Sequence, residues 1–391
     1  MKLILCLFAL AVGAMADSST EEILKAGNDL FTANMFQEVV KKSGDKSCVL
    51  SAFSVLSPLA QLALASAGES HDEILKSIGF PNDNVTKEVF GELNSKLRSV
   101  KGVDLKQANK VYLGEGFTLD SQFAVVSKDV FNSEVQNINF GDSKNAASEI
   151  NQWVENHTNN RIKDLVNPDS IDGSTTAILV NAIYFKGKWE NPFDKSETKP
   201  SDFHVTKDKT VTVDMMHIRH DFNFAENADA KFLELPYEGG ETSLVVALPH
   251  EVDGVNGLIE KFKDPATLNK ALSSMRSFEV DVSLPKFKIE TTTNLKEVLE
   301  NMHIKKLFSP GQARLENLLK EAKDLYVSDA TQKAFIEVNE EGAEAAAANH
   351  FNVAVRSGKF AFHRTIFDAN RPFYYALIHK QYVLFNGIYR F

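Results

Sequence analysis

The fold of this 391-residue chain is decided by the stretch Glu340-Glu341-Gly342-Ala343-Glu344-Ala345-Ala346-Ala347-Ala348-Asn349. An alanine-rich run normally favours helix, but this one follows residues 333–338, whose alternation is typical of a half-buried strand. From residue 343 onward, every second residue up to 355 is mostly small or apolar, and the intervening residues are more polar. The run contains no proline, so it is able to pair as a strand with one buried face. A loop with the pattern of a strand is a candidate conformational switch.

Five further segments accompany this pattern in a fixed order along the chain. They are Leu50-Ser51-Ala52-Phe53-Ser54, Asn181-Ala182-Ile183-Tyr184-Phe185-Lys186-Gly187-Lys188-Trp189, Glu234-Leu235-Pro236-Tyr237, Leu284-Pro285-Lys286-Phe287-Lys288 and Asn370-Arg371-Pro372-Phe373. From about residue 20 to the end, the chain resembles the serpin family, and within it the inhibitory antitrypsin-type serpins of moth haemolymph. The resemblance implies an α+β fold with three β-sheets, one of them large and central, and about eight or nine surrounding helices. It also implies an exposed reactive-centre loop at about residues 340–370.

Composition and charge favour one soluble domain. The chain is 43% hydrophobic and 25% charged, as ordinary globular proteins are, and it has no linker rich in proline, glycine or serine. We therefore expect residues 17–391 to form a single domain and a monomer. The formal charge of −10 argues against nucleic acid and against an anionic membrane surface as the main partner.

The N-terminus has the pattern of a secretory signal peptide. Lys2 precedes an apolar run over residues 3–12, and Ala14-Met15-Ala16 is a typical cleavage site ahead of Asp17. This pattern predicts that residues 1–16 are removed and that the protein is secreted into an extracellular fluid, the haemolymph if the source is an insect. Removal leaves Cys48 as the only cysteine, so an intramolecular disulfide is excluded, and the apolar residues after Cys48 predict that it is buried.

Secretion makes two asparagines candidate glycosylation sites. Asn84 and Asn156 begin the sequons Asn84-Val85-Thr86 and Asn156-His157-Thr158. Asn84 is preferred because it lies in a polar segment after a proline.

The remaining patterns predict helices early and strands late, which is typical of the α+β class. Ser19-Thr20-Glu21-Glu22 reads as a capping box that opens a helix to about residue 42. Other helical patterns lie at about 51–68, 70–78, 86–99, 120–131 and 146–163. Strands are predicted at 176–185, 232–236, 243–249, 278–289, 373–378 and 382–388, with a hairpin turn at 238–241.

The sequence contains no pattern that indicates an enzyme. G-x-S-x-G, H-E-x-x-H, C-x-x-C and a glycine-rich phosphate loop are all missing, and the ten histidines lack metal-ligand spacing. We therefore expect no catalytic activity and no cofactor or metal. The basic residues considered for polyanion binding alternate with acidic ones, which favours a solvated helix face. The basic residues are Lys87, Lys96, Arg98 and Lys101.

Arg356-Ser357 is the expected reactive bond. Counted from Glu340 in the hinge, Arg356 falls where the family resemblance places the residue before the scissile bond. A trypsin-like serine protease recognises a long basic side chain in its specificity pocket, so such a protease is the expected partner, held in a covalent acyl complex. Lys359-Phe360 and Arg364-Thr365 remain rival bonds, and Phe351 or Phe360 would suit a chymotrypsin-like protease.

The resemblance implies two further groups of functional residues. The hinge, which must enter the central sheet as an extra strand after cleavage, comprises Glu340, Glu341, Gly342, Ala343, Glu344, Ala345, Ala346, Ala347 and Ala348. The sheet-opening region comprises Ser51, Ser54, Asn181 and Gln332. Gln332 stands where many family members have histidine, so a pH-triggered opening is not expected here.

Two alternative functions fit the same sequence. A non-inhibitory binding protein or a simple protease substrate is possible on the same fold, and so is an inhibitor of papain-like cysteine proteases. For the main interpretation, the resemblance implies control of clip-domain or digestive-type proteases in insect immunity.

Overall fold

A computed structural model describes residues 19–96, 103–321, 324–342 and 365–391. The described residues include nine α-helices: α1 (Thr20–Ser43), α2 (Ala52–Ala65), α3 (Gly68–Ile78), α4 (Asp83–Lys96), α5 (Ser121–Asp129), α6 (Ser143–His157), α7 (Val255–Lys261), α8 (Pro265–Ser274) and α9 (Leu295–Asn301). The predicted capping box opens α1: Ser19 Oγ accepts from the Glu22 N–H, and the Glu22 carboxylate accepts from the Ser19 N–H. None of the helices in the described ranges combines the length and apolarity that crossing a membrane requires.

The strands are β1 (Cys48–Leu50), β2 (Val103–Gly114), β3 (Glu134–Ile138), β4 (Ala177–Gly187), β5 (Lys199–Thr206), β6 (Lys209–Glu226), β7 (Ala230–Pro236), β8 (Thr242–Pro249), β9 (Arg276–Pro285), β10 (Phe287–Asn294), β11 (Asp329–Val338), β12 (Thr365–Asp368), β13 (Phe373–His379) and β14 (Tyr382–Tyr389). The sequence patterns missed six strands: β1, β2, β3, β5, β6 and β12. The predicted strand at 278–289 is two strands, β9 and β10, which belong to different sheets. The predicted helix at 146–163 ends at residue 157, because Asn159 and Asn160 adopt the left-handed conformation, which asparagine tolerates.

The central sheet has five strands in the order β10-β11-β4-β2-β3. At its centre, β11 and β4 run parallel, with Asp329–Ile336 beside Ile178–Phe185. We call the line between these two strands the seam. Their outer neighbours, β10 and β2, pair with them antiparallel.

The second sheet has nine strands. Eight of them lie side by side in the order β1-β14-β13-β8-β7-β6-β9-β12, and β5 pairs with β6 off this path. Its continuity comes from β6, which is 18 residues long. The start of β6 pairs with β5, its middle with β9 and its end with β7. Two of the three expected sheets are thus joined through one long strand.

The core lies on both faces of the central sheet, as the uniformly apolar β4 predicts. The even-numbered residues of β4 from 178 to 184 pack in a cluster with α6, whereas Leu179, Ile183 and Phe185 of β4 join the main core with α2. Because successive side chains of a strand point to opposite faces, β4 is buried on both. Cys48, in the main core, is buried as predicted, and burial raises the pKa of its thiol.

Candidate functional site

The candidate site begins where β11 ends. Gly342 is the last described residue of that segment, and the chain is described again from Thr365, the first residue of β12. The two ends of the expected loop are therefore fixed on different sheets. The reactive bond Arg356-Ser357, the hinge residues 343–348, the rival residues Lys359, Phe360 and Arg364, and the signal peptide lie outside the described residues.

A buried polar cluster lies beneath the seam and contains all four residues of the predicted sheet-opening region. Asn181 of β4 and Gln332 of β11 are register partners, and Gln332 Nε2 donates to Asn181 Oδ1 at 2.6 Å. Gln332 also reaches the start of α2, where Nε2 donates to the Ser51 carbonyl at 2.8 Å and Oε1 accepts from the Ser51 N–H at 3.2 Å. Ser54 Oγ donates to Asn181 Oδ1 at 3.0 Å. None of these four residues is more than 1% exposed.

Asn109 of β2 is a fifth member that sequence reasoning missed. Asn181 Nδ2 donates to Asn109 Oδ1 at 2.6 Å and to the Ser54 carbonyl at 3.0 Å. No sequence signal marks it, because it joins the cluster through the β2–β4 register, in which Asn109 lies opposite Asn181. The cluster therefore ties three adjacent strands to α2. It contains no acid or base, so its hydrogen bonds do not depend on a titrating side chain.

At the end of the seam near residue 340, the nearly buried Glu340 forms an ion pair with Lys286, whose side chain is 44% exposed. Glu340 is 5% exposed, Lys286 Nζ lies 3.1 Å from its Oε2, and Thr198 Oγ1 donates to its Oε1 at 3.0 Å. Burial alone would raise the pKa of the Glu340 carboxyl. Hydrogen bonds from its own backbone, Lys286 and Thr198 outweigh burial and hold this pKa below its ordinary value.

Residues 339–342 form a strap across the end of the seam. Trp189, just after β4, donates from Nε1 to the Asn339 carbonyl at 2.8 Å and from its backbone N–H to the Glu341 carbonyl at 3.3 Å. The Phe193 N–H donates to the Glu340 carbonyl at 2.8 Å. Glu341 also forms an ion pair with Lys195. The strap therefore closes the end of the seam that lies beside Trp189.

Gly342 is required by the geometry of this strap. Its φ is +77°, and its N–H closes the turn on the Asn339 carbonyl at 3.2 Å. A Cβ at this position would lie 2.5 Å from the Gly187 carbonyl oxygen and 2.6 Å from the Trp189 nitrogen. Only glycine fits both the backbone conformation and the space.

Both predicted glycosylation sites are accessible. Asn84, in the first turn of α4, and Asn156, near the end of α6, are exposed. The hydroxyls of Thr86 and Thr158 donate to backbone carbonyls of their own helical segments. The placement of the two sequons therefore does not distinguish between them.

Two other expectations concern ligands that the protein should not bind. In the described part of the chain, no group of three or more His, Cys, Asp or Glu side chains is arranged to hold a metal ion. Of the four basic residues considered for a polyanion, Lys87 is exposed on α4, Lys96 ends that helix, and Arg98 and Lys101 lie outside the described residues.

Comparison with known proteins agrees with this architecture. A family model described as serpin (serine protease inhibitor) matches residues 26–390. The chain is 56% identical to a protein named Antitrypsin from Bombyx mori, over 100% of both chains, and 55% identical to Antichymotrypsin-2 from the same moth, over 96% of this chain and 100% of the relative. The crystal structure of Serpin48, described as a highly specific serpin in the insect Tenebrio molitor, superposes with a TM-score of 0.87 at 32% identity, covering 96% of this chain and 99% of that chain. The resemblance and the α+β fold expected from the sequence are confirmed, and the chain belongs to the serpins, the serine protease inhibitor family.

Proposed function

We propose that this protein is a secreted inhibitor that traps a trypsin-like serine protease as a covalent acyl complex after cleavage at Arg356-Ser357. The observation that carries this proposal is the parallel pairing of β4 and β11, because the strand-like segment from residue 343 onward follows β11 in the chain after the strap. A chain that turns back after β11 runs antiparallel to both strands. Insertion would therefore replace one parallel pairing by two antiparallel ones, which are slightly more stable per residue.

The length of the loop suits this path. Residues 343–356 are fourteen residues, or roughly 46 Å when extended at about 3.3 Å each. β11 has 10 residues, or about 33 Å on the same scale. A fully inserted strand would run the length of the seam and carry its far end almost across a domain about 54 Å in diameter.

Inhibition then follows from ordinary acyl-transfer chemistry. The hydroxyl oxygen of the protease serine attacks the Arg356 carbonyl, the bond to Ser357 breaks, and the released amine of Ser357 takes up a proton. The serine is left as an ester on Arg356, which water would normally hydrolyse. Insertion of residues 343–356 pulls that ester away from the groups that must activate water, and these work only within a narrow geometry. The relative rates of loop insertion and ester hydrolysis decide whether the protease is trapped or released.

The composition of the hinge favours rapid insertion over hydrolysis of the ester. Ala343, Ala345 and Ala347 are small, and a proline or charge at these positions would remove a ladder donor or bury an unpaired ion. Gly342 must leave its left-handed conformation as the strand forms, and glycine does so at little cost. The hinge therefore argues against a loop that inserts nowhere.

The choice of Arg356 rests on the sequence. Relatives at 56% and 55% identity carry names that refer to trypsin and to chymotrypsin, respectively, so overall identity does not select the protease class. Among the rivals, Arg364-Thr365 is disfavoured because Thr365 is already paired with Val280 in β12, which leaves the bond little freedom to enter a protease. Lys359-Phe360 lies between these two positions.

Several finer features belong to the same proposal. Residues 1–16 are removed on secretion, Asn84 and Asn156 are available for glycosylation, and the inhibitor acts as a monomer without cofactor or polyanion. Control of extracellular proteases in insect immunity, in haemolymph, is the corresponding biological role.

The test is to incubate the purified protein with trypsin and look for an adduct that survives boiling in detergent. The peptide released with the adduct should begin at Ser357. Arg356→Ala should abolish the adduct with trypsin, whereas Lys359→Ala, the matched control, should leave it intact. An adduct that persists in Arg356→Ala would move the reactive bond elsewhere.

The alternatives predict different results in the same experiments. For a non-inhibitory protein or a simple substrate, trypsin would stay active and loop cleavage would leave the melting temperature unchanged, whereas insertion should raise it sharply. For an inhibitor of papain-like proteases, papain activity would be lost without loss of trypsin activity.

A further inference from the structure

Helix α6 covers one face of the central sheet, including the part of that face at the seam. Apolar side chains of α6 share one cluster with the seam residues Tyr184 and Phe335. The rings of Tyr184 and Phe335, one from each strand, lie 5.6 Å apart. A residue that enters the seam adds a side chain to this face or to the opposite one. On this face, insertion must therefore displace side chains that α6 covers.

A buried lysine lies under α6. Lys110, on β2, has a side chain that is 3% exposed, and its Nζ lies 4.8 Å from the centroid of the Trp153 ring on α6 and 5.2 Å from that of Tyr112. The carboxylate of Glu134 is 3.3 Å away, but Glu134 is itself 77% exposed. Trp153 therefore covers the charge of Lys110. This charge is balanced by the largely solvated carboxylate of Glu134 and by the ring faces of Trp153 and Tyr112.

The same interface contains a second incompletely paired group. Tyr112 is fully buried, and within the described residues its hydroxyl has no hydrogen-bond partner. Burial raises the pKa of this hydroxyl, and the nearby carboxylates of Glu149 and Glu134 raise it further, so it stays neutral. The contact between α6 and β2 thus includes one charged and one polar group whose hydration is lost when the interface is closed.

Such groups make an interface easier to open. When α6 separates from the sheet, water reaches Lys110 and Tyr112 and returns the hydration that burial removed. An apolar residue of similar size at position 110 would gain nothing from water. Replacing a buried ion pair by well-packed apolar residues is often neutral or stabilising for this reason.

We propose that Lys110 is a positioning residue that keeps the contact between α6 and the sheet easy to open and thereby sets how fast the loop enters the seam. The inference rests on the proposed insertion mechanism and names a residue that regulates it. Lys110 acts through Trp153 and α6.

The first test uses the intact protein without any protease. Amide hydrogen exchange across residues 143–157 should be about fivefold slower in Lys110→Met than in the wild type. This factor corresponds to the lower end of the stabilisation expected when apolar residues replace a buried ion pair. The matched control is Lys106→Met on the same strand, because Lys106 is 44% exposed and pairs with Asp104 at 3.1 Å. It should leave the exchange unchanged. Trp153→Ala, which uncovers Lys110, should speed the exchange.

The second test measures the partition between complex and cleaved free inhibitor on reaction with trypsin. If insertion is slowed about fivefold, the ratio of cleaved inhibitor to complex should rise by about the same factor in Lys110→Met. Exchange that is unchanged or faster in Lys110→Met would overturn the role assigned to Lys110. Slower exchange with an unchanged ratio would overturn its link to insertion. If the wild type forms no complex, the proposed function fails, while the exchange experiment still decides what Lys110 does under α6.

Discussion

Asn181 is the residue whose loss should most directly weaken the closed seam. Its side chain makes four hydrogen bonds, with Ser54 Oγ, the Ser54 carbonyl, Asn109 Oδ1 and Gln332 Nε2. The last of these is a side-chain bond across the seam. Asn181→Ala removes all four while leaving the backbone pairing of β4 in place.

The loss of stability expected for Asn181→Ala depends on which of the groups bonded to Asn181 have another hydrogen-bond partner. Without Asn181, the single hydroxyl proton of Ser54 is free to go to the Ser51 carbonyl, which lies 3.1 Å from Ser54 Oγ. Gln332 Nε2 still donates to the same carbonyl at 2.8 Å. At about 1 kcal/mol per buried hydrogen bond, the cost is about 2 kcal/mol if those two groups lose nothing and about 4 kcal/mol if all four bonds count. This is a large part of the total stability of a domain, which is about 5–15 kcal/mol.

The same substitution should speed conversion to the inserted form. A strand between β4 and β11 separates Asn181 from Gln332, so their mutual bond stabilises only the closed state. Denaturant unfolding, followed by circular dichroism, measures the loss of stability, and native gels after incubation at 37 °C measure conversion. Asn223→Ala is the control, because Asn223 is exposed and bonds only Glu234 at 2.9 Å among the described contacts. The reasoning is refuted if Asn181→Ala behaves like this control in both assays.

Two further predictions concern the strap at residues 339–342. Gly342→Ala should destabilise the native state by at least about 1–3 kcal/mol, because its Cβ would lie 2.5 Å from a carbonyl oxygen at a φ of +77°; denaturant unfolding should detect this loss, and unchanged stability would contradict the strap geometry. Glu340→Gln should remove a stabilisation that depends on pH. Because the pKa of Glu340 is held below its ordinary value, its ion pair stabilises the native state fully above that ordinary value, and this stabilisation is lost as the pH falls through the lowered pKa. The difference in unfolding free energy between wild type and Glu340→Gln should therefore be largest near neutral pH and shrink on acidification, and a difference independent of pH would argue against the ion pair.

Local patterns predicted the elements whose signal lies within a few residues. The capping box at Ser19 needs only a side chain and a backbone N–H three residues apart, and it is present as predicted. The apolar run at 176–185 predicted a strand covered on both faces, and β4 is such a strand. By contrast, the run at 278–289 reads as one strand but is β9 and β10 in different sheets. Alternation alone does not say which sheet a strand joins.

The polar cluster under the seam shows that local sequence patterns also fail to predict which residues of the site come together. Ser51, Ser54, Asn181 and Gln332 were expected to act together only because of family resemblance, since Ser51 and Gln332 are 281 positions apart. Asn109 joins them because of the register between β2 and β4, which no local pattern encodes. Trp189, Thr198 and Lys286 lie in or near recognisable segments, but their contacts with the strap depend on how those segments pack.

The sequence by itself predicted the family and the strand-like character of residues 343–356, because side-chain size, charge and spacing are local properties. The proposal of Arg356 as the residue before the reactive bond also comes from the sequence, through its distance from Glu340 and the resemblance to the family. The tertiary structure alone decided that the loop leaves from a parallel pair of strands, that a strap closes the end of the seam, and that Lys110 lies buried beneath Trp153. These features depend on register and on packing between segments far apart in the chain. Their energies come from desolvation and hydrogen bonding, which exist only once those segments meet.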